Sequence, residues 1–269
     1  MKMTQTIGII GSGLVGKAVA HLSVAAGYNV VISNSRGPDT LSELVKDLGP
    51  RARAGTVEDA IAASDIVTIS IPIAAFEQLP GDKFVGKVVL DQTNYYPGLG
   101  DFRRDDLDQG ELTSSELIAR HLKGATVVKG LHNLSWIHMQ ANATPKGDAN
   151  RTTLPVAGDD ASAKQAVTTF LDDIGYDVID VGSLADSWRV EPSTDIYFWR
   201  YAPEVPLDAT DENTRQKYQQ PGKPLSSEEA RKLVSEAVRP SPIGGTFDGM
   251  PQIHVTLFFE QASADTVKK

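Results

Sequence analysis

The sequence predicts an α/β protein: a doubly wound, mostly parallel sheet with helices on both faces, followed by a smaller C-terminal extension. Three observations carry this. A glycine-rich turn joins the first apolar run to a helical pattern. Short apolar runs then alternate with helical stretches over the first half of the chain. A second strand–helix–strand group, at residues 152–157, 160–174 and 176–181, extends the same sheet.

The elements follow in order. Thr6-Ile7-Gly8-Ile9-Ile10 is an apolar run that reads as a buried strand. Gly11-Ser12-Gly13-Leu14-Val15-Gly16 comes next, and a helical pattern runs on to Gly27. Strand, glycine loop and helix in that order make a dinucleotide-binding turn of the Rossmann type. Gly11 permits the tight turn, Gly13 lets the backbone approach a pyrophosphate, and Gly16 lets the helix pack close to the sheet. The phosphate then meets the free N–H groups and positive end of the helix.

Residues 29–33 form the second strand, and Ser33-Asn34-Ser35-Arg36 ends it. A site for NAD carries an acidic residue there to hold the ribose 2′-hydroxyl. This chain has none. A carboxylate repels a 2′-phosphate, whereas arginine grips it with a planar fork. Asn34 and Ser35 add short hydrogen-bonding side chains. The expected cofactor is therefore NADP(H), with Arg36 and Ser35 as the main discriminators.

Thr40 and Glu43 have capping-box spacing before a helix at 41–48. A short third strand at 51–54 precedes a helix at 56–63, opened by Thr56 with Glu58 and Asp59 where the helix dipole favours acids. Residues 65–71 form the fourth strand, ended by Pro72. A helical turn at 74–78 and a fifth strand at 87–91 follow. A polar loop spans 92–112, in which Asp105-Asp106-Leu107-Asp108 reads as solvated. Thr113 and Glu116 cap a helix to Leu122, and 125–129 is the sixth strand. Beyond the second strand–helix–strand group, 200–224 reads as loop-rich. A helix at 226–238 starts with Ser226 and Glu229 at capping spacing, and 253–259 reads as a late strand with one wet face. The division expected is residues 1–185 for the cofactor-binding domain and 186–269 for an extension that supplies an acceptor pocket, a dimer interface or both.

Composition narrows the function. A formal charge of −9 over 269 residues argues against nucleic acid and anionic membranes as partners. The absence of cysteine excludes disulfides, thiolate nucleophiles and cysteine metal sites. No apolar run is long enough to span a bilayer. The first strand starts too early to leave room for a signal peptide, so a cytoplasmic location is expected.

The stretches IGIIGSGLVGKAVA, SNSRGPDTL, DIVTISIP, KVVLDQTNYYP, ATVVKGLHN, LPVAGDD and GYDVIDVGSLADSWRVEP run in order from Ile7 to about Tyr201. Together they resemble the NADP oxidoreductases related to coenzyme F-420-dependent NADP reductases. The segment PKGDANR also resembles the cytosolic oxidoreductase domain of the six-transmembrane metalloreductases. The resemblance implies direct hydride transfer between NADPH and coenzyme F-420 or a flavin. It implies that Arg36 and Ser35 contact the 2′-phosphate, and that Ser12, Gly13, Leu14 and Val15 line the pyrophosphate. Ile71 and Pro72 would lie on the nicotinamide side. The likeness fades after Tyr201, where compact members of the family end. The remaining residues are expected to cover the acceptor pocket or to build a homodimer.

Hydride transfer between two rings needs position, stacking and a dry pocket more than an acid–base pair. The candidate chemical residues are few. Asn94 reads either as a contact to the nicotinamide amide or acceptor, or as a turn residue. His132 and Asn133 follow the sixth strand at the ligand-binding end of the sheet. His132 is either a proton source for a carbonyl or imine, or a loop histidine with a structural hydrogen bond. Lys129 and Asn133 have the Lys-x-x-x-Asn spacing of related hydroxyacid dehydrogenases, but Lys129 ends a strand here, which makes the spacing accidental. His132 and His138 have no acidic or cysteine partner at ligand spacing, so no metal is expected. Trp136, Trp188, Tyr197, Phe198 and Trp199 read either as a wall for a flat acceptor or as plain core. Besides F-420 or flavin reduction, two readings stand: an NADPH-dependent reductase of a small carbonyl, imine or quinone, and a non-catalytic NADPH sensor.

Overall fold

A strand buried at every position must be covered on both faces. Ile66–Ile69 and Thr153–Gly158 are buried throughout, so helices have to pack above and below them. The computed structural model describes residues 5–97 and 102–267, with side chains to 261. Residues 98–101 of the expected polar loop lie outside the described residues. In chain order the elements are β1 (Thr6–Ile10), α1 (Leu14–Ala25), β2 (Asn29–Ser33), α2 (Ser42–Leu48), β3 (Ala52–Ala54), α3 (Val57–Ala62), β4 (Ile66–Ile69) and β5 (Val88–Asp91). Then come α4 (Asp105–Asp108), α5 (Ser114–His121), β6 (Thr126–Lys129), α6 (Trp136–Ala141), β7 (Thr153–Gly158), α7 (Ala161–Asp173) and β8 (Asp177–Gly182). The extension adds α8 (Glu212–Tyr218), α9 (Ser227–Ser235) and α10 (Gln252–Val267).

The eight strands form one sheet in the order β3-β2-β1-β4-β5-β6-β7-β8. Every neighbouring pair is parallel except β6 and β7. The strand order reverses between β1 and β4, and ligands of such sheets bind outside the carboxyl ends of the strands at that switch point. Alternate residues feed the two faces. Ile9, Ile32, Leu90 and Val128 join one apolar cluster with α1 and α7; Ile10, Val31, Val89 and Val127 join the other with α3 and α5. In the extension, α9 sends Ala230 and Val234 into the first of these clusters. A third, small cluster of Ala202, Tyr218, Ile253 and Leu257 packs against Trp136 and Ile137 of α6. Among the described residues no helix is long and apolar enough to cross a membrane.

The capped start expected at Thr113 is a capping box with Glu116 as the reciprocal partner, and Thr56, expected only to open its helix, forms one with Asp59. Three expectations need correction. Residues 253–259 are helical, not a strand: Ile253, His254 and Leu257 are buried at helical spacing while Phe258 and Phe259 face out. The β-branched and aromatic content mimics a strand, and docking against Tyr218 and Trp136 overrides it. Thr40 caps no helix. Pro38–Leu41 forms a 3-10 turn after Gly37, and the Thr40 hydroxyl donates to the Gly37 carbonyl at 2.8 Å. Asp105–Asp108 is one helical turn with Leu107 buried, not a solvated loop. The stretch 200–224 is loop-rich as expected and carries one short helix, α8, whose cap is the Asp211 carboxylate accepting from the Thr214 N–H.

Candidate functional site

The glycine loop has the geometry its spacing predicts. Gly11 has φ +109°, and a Cβ there would lie 2.2 Å from the Ser70 carbonyl oxygen. A Cβ at Gly16 would lie 1.9 Å from the Gly11 carbonyl oxygen, so α1 can approach the loop only without one. At Gly13 a Cβ would meet nothing within 4 Å. Its side is open, as the approach of a phosphate requires. Gly13 is also the N-cap of α1, and no side chain caps the helix or places an acid in its first turn. The first N–H groups and the positive end of the dipole therefore face that open space. These residues fit a pyrophosphate.

The end of β2 is tied to this loop. Asn34 Nδ2 donates to Ser12 Oγ at 3.1 Å and to Thr40 Oγ1 at 3.0 Å. Its Oδ1 accepts from the Arg36 N–H at 2.9 Å, which turns the chain and leaves Ser35 and Arg36 exposed beside the loop. No Arg36 ion pair occurs among the described residues, so its fork is available to an anion. Ile71 and Pro72 follow β4, and the Ile71 side chain lies 3.1 Å from the point where a Gly11 Cβ would stand. Cofactor-binding candidates from two strand ends and one helix terminus thus converge at the switch point.

The next two strand ends carry the polar groups. Asn94, after β5, donates from Nδ2 to the His132 carbonyl at 3.2 Å. His132 Nε2 donates to the Val190 carbonyl at 2.8 Å, and Asn133 Nδ2 donates to the same oxygen at 3.0 Å. A carbonyl only accepts, so the His132 proton sits on Nε2 and Nδ1 keeps its lone pair. Burial, and then the nearby charge of Lys129, hold the imidazole well below its usual range. His132 is therefore a neutral, carbonyl-bound ring, the geometry of a structural histidine. What remains free is a mixed set of acceptors and donors. Among the described residues, Gln92 Nε2, Thr93 Oγ1, Asn94 Oδ1, His132 Nδ1 and Asn133 Oδ1 are buried without a hydrogen-bond partner. Buried polar atoms are rarely left unpaired, and a group of them at one end of a sheet marks a place for a polar ligand. Leu131, between the two strand ends and fully buried, has φ 55°. Strain of this kind in a non-glycine residue gathers at binding sites.

Beneath these groups lies a buried charge network that sequence reasoning missed. Lys129 Nζ is 3.6 Å from Asp91 Oδ2, and both side chains are fully buried. Lys129 also donates to Ser114 Oγ at 3.0 Å and to the Thr93 carbonyl. Asp91 accepts from the Thr93 N–H at 2.9 Å and from Ser115 Oγ at 2.5 Å. Ser114 donates through N–H and Oγ to Glu191, at 3.0 and 2.6 Å. The signal was present in the sequence as a charge at the last position of two apolar strands, Asp91 and Lys129. These stand side by side in the β5–β6 register.

The five aromatics considered as one wall separate into different settings. Trp136 lies 4.8 Å from His254 and 5.9 Å from Phe258. Trp188 stacks under Arg189 and Arg239. Phe198 packs edge-on against Trp199 and His254. Only Tyr197 faces the candidate site, with its ring 6.3 Å from that of His132. No group of three or more metal-ligating side chains occurs among the described residues.

An open, uncapped helix terminus at the switch point of a 3-2-1-4-5-6 sheet defines a dinucleotide-binding α/β domain. Comparison with known proteins narrows the class. Residues 6–95 match the family described as "NADP oxidoreductase coenzyme F420-dependent". The match covers the first five strands and the glycine loop, about a third of the chain. The chain is similar to Metalloreductase STEAP3 of Rattus norvegicus, with 28% identity over 192 residues, covering 71% of this chain and 36% of that one. It thus spans about a third of the length of the curated metalloreductase it matches. Its fold is similar to hypothetical protein SMa0349 from Sinorhizobium meliloti, with TM-score 0.60 and 29% identity, over 69% of this chain and 88% of that one. It also shares the fold of a "putative f420 dependent nadp-reductase" from Arthrobacter sp. FB24. That match has TM-score 0.58 and 24% identity, over 68% and 87% of the two chains.

Proposed function

We propose that this protein is an NADP(H)-dependent oxidoreductase that passes a hydride between NADPH and coenzyme F-420 or a flavin-like acceptor. The observation that carries the reading is the pairing of an uncapped α1 terminus, open at Gly13, with an acid-free β2 end that presents Arg36. NADPH supplies a hydride when bound. Gly11, Ser12, Gly13, Leu14, Val15 and Gly16 bind its pyrophosphate, and Asn34, Ser35 and Arg36 bind the 2′-phosphate. Ile71 and Pro72 give the nicotinamide an apolar flank. The unpaired acceptors of Asn94 and Asn133 suit an amide donor, and so hold the ring in one orientation.

The test follows NADPH absorbance with and without coenzyme F-420, with FAD and FMN in parallel. Acceptor-dependent oxidation by coenzyme F-420 or a flavin is expected. NADPH binding without turnover on any of the three would remove this reading.

A second reading, reduction of a small carbonyl, imine or quinone, is favoured by the covering of the β5 loop. The Gly245 N–H donates to the Tyr95 carbonyl at 2.9 Å, and Phe247 stacks on Tyr96 with ring centroids 5.5 Å apart. Such a roof suits a smaller acceptor. The same assay with those acceptor classes separates the two readings, and a complete lack of turnover leaves the NADPH sensor.

A further inference from the structure

One polar pair at this end of the sheet has no part in holding the cofactor. Tyr96 and Tyr197 lie 101 residues apart in the chain, one in the loop after β5 and one in the extension. Their hydroxyl oxygens meet at 2.8 Å. Both residues are half-buried, so the pair stands at a wall rather than inside the core. Its surroundings are those of the candidate site. Tyr96 is two residues after Asn94, whose Oδ1 is unpaired, and Tyr197 lies beside His132, whose Nδ1 is unpaired. The next residue, Phe198, has φ 54°, and its N–H donates to the Asn133 carbonyl at 2.9 Å. That strained turn aims Tyr197 at the strand ends.

The geometry points to Tyr96 as the proton donor to the hydride acceptor, with the Tyr197 hydroxyl supporting it from behind. This rests on the oxidoreductase reading above. It names a residue for the half of the reaction that the hydride alone leaves unfinished. When the acceptor gains a hydride, one of its nitrogen or oxygen atoms gains the electron density. The Tyr96 O–H bond breaks, the proton passes to that atom, and the bonding pair stays on the phenolate oxygen. The Tyr197 O–H donates to the phenolate, which then recovers a proton from water at the half-open wall. NADPH is oxidised by two electrons, the acceptor is reduced by two, and the acceptor has taken up one hydride and one proton.

The groups around the pair are compatible with this. Burial raises both phenols above their ordinary range, and each is hydrogen-bonded to the other. Both are therefore protonated through neutral pH, and the Tyr197 hydrogen bond, which acts to lower Tyr96 and raise Tyr197, makes Tyr96 the better proton donor of the two. His132 is neutral, and Glu191, whose charge also raises Tyr197, is already bonded to Ser114. Neither competes as a donor.

The experiment uses the full chain with Tyr96→Phe and Tyr197→Phe, both of which keep the ring and its packing. Two readouts are taken. One is the affinity for oxidised coenzyme F-420 or FMN in the absence of NADPH, from ligand fluorescence. The other is single-turnover acceptor reduction across pH 6–9 in water and deuterium oxide. For Tyr96→Phe we expect affinity for the oxidised acceptor to fall several-fold and NADPH affinity to hold. Reduction should slow by about a hundredfold, the scale of a lost general acid. Its rate should fall as pH rises, because the proton now comes from solvent. Tyr197→Phe should lie between wild type and Tyr96→Phe. A Tyr96→Phe protein with wild-type acceptor affinity, rate and pH profile overturns the assignment while leaving the oxidoreductase reading intact. A wild-type protein that reduces no acceptor removes both.

Discussion

On the proposed reading, cofactor choice turns on a few atoms at the end of β2. Asn34 holds the turn to Ser12, and Arg36 is left without a carboxylate partner among the described residues. A charge-assisted fork on a phosphate is stronger than a neutral hydrogen bond. Arg36→Ala should therefore weaken NADPH binding by roughly tenfold to a hundredfold and leave NADH binding nearly unchanged. Titration of both dinucleotides by fluorescence checks this, and equal losses would refute the 2′-phosphate contact. This part of the site was legible in the sequence because each role is local. The shape of the turn at Gly11, Gly13 and Gly16 is set within one loop, and the exposed position of Arg36 is set by its place after a strand. His132 and Asn133 were legible only in position. That both would bond the Val190 carbonyl depends on a segment nearly sixty residues away, and no local pattern encodes such a contact.

Helix α10 was illegible as a helix because five of the seven residues from Ile253 to Phe259 are β-branched or aromatic. What decides its form is the surface it lands on. His254 sits 4.8 Å from Trp136 and 5.0 Å from Phe198, and the Tyr218 hydroxyl lies 3.1 Å from its Nδ1. Burial, reinforced by His138, pushes His254 down to about 4. The unfolded chain binds that proton near pH 6.5, so between about 6.5 and 4 the unfolded state carries more protons than the folded one. The stabilisation is complete above the unfolded value and is lost as pH falls through this window. A shift of this size is worth about 3 kcal/mol. The extension should loosen near pH 4.5 before the sheet does, with a change in Trp136 fluorescence preceding loss of the far-ultraviolet helix and strand signal. His254→Phe, which cannot charge, should remove the early step. Coincident transitions in both proteins would mean that His254 does not govern docking of α10.

At the scale of the whole molecule, the Asp91–Lys129 pair joins the parts that the sequence presents as separate. It spans β5 and β6, reaches the first turn of α5 through Ser114 and Ser115, and meets the extension at Glu191. Removing one member leaves the other charge buried without its partner, which costs about 3–5 kcal/mol, whereas replacing both with apolar groups costs far less. Lys129→Met should therefore lower the urea midpoint strongly, and adding Asp91→Leu to it should restore much of the loss. Because Lys129 also donates to the Thr93 carbonyl, the single variant should impair acceptor reduction at temperatures where it is still folded and still binds NADPH. The Thr93–Asn94–Tyr96 segment would then sit on a loosened floor, while the α1 terminus, built from β1 and β2, would not. Equal losses of NADPH binding and reduction would assign Lys129 to general stability. Selective loss of reduction would make the network the device by which the extension and the sheet hold one site between them.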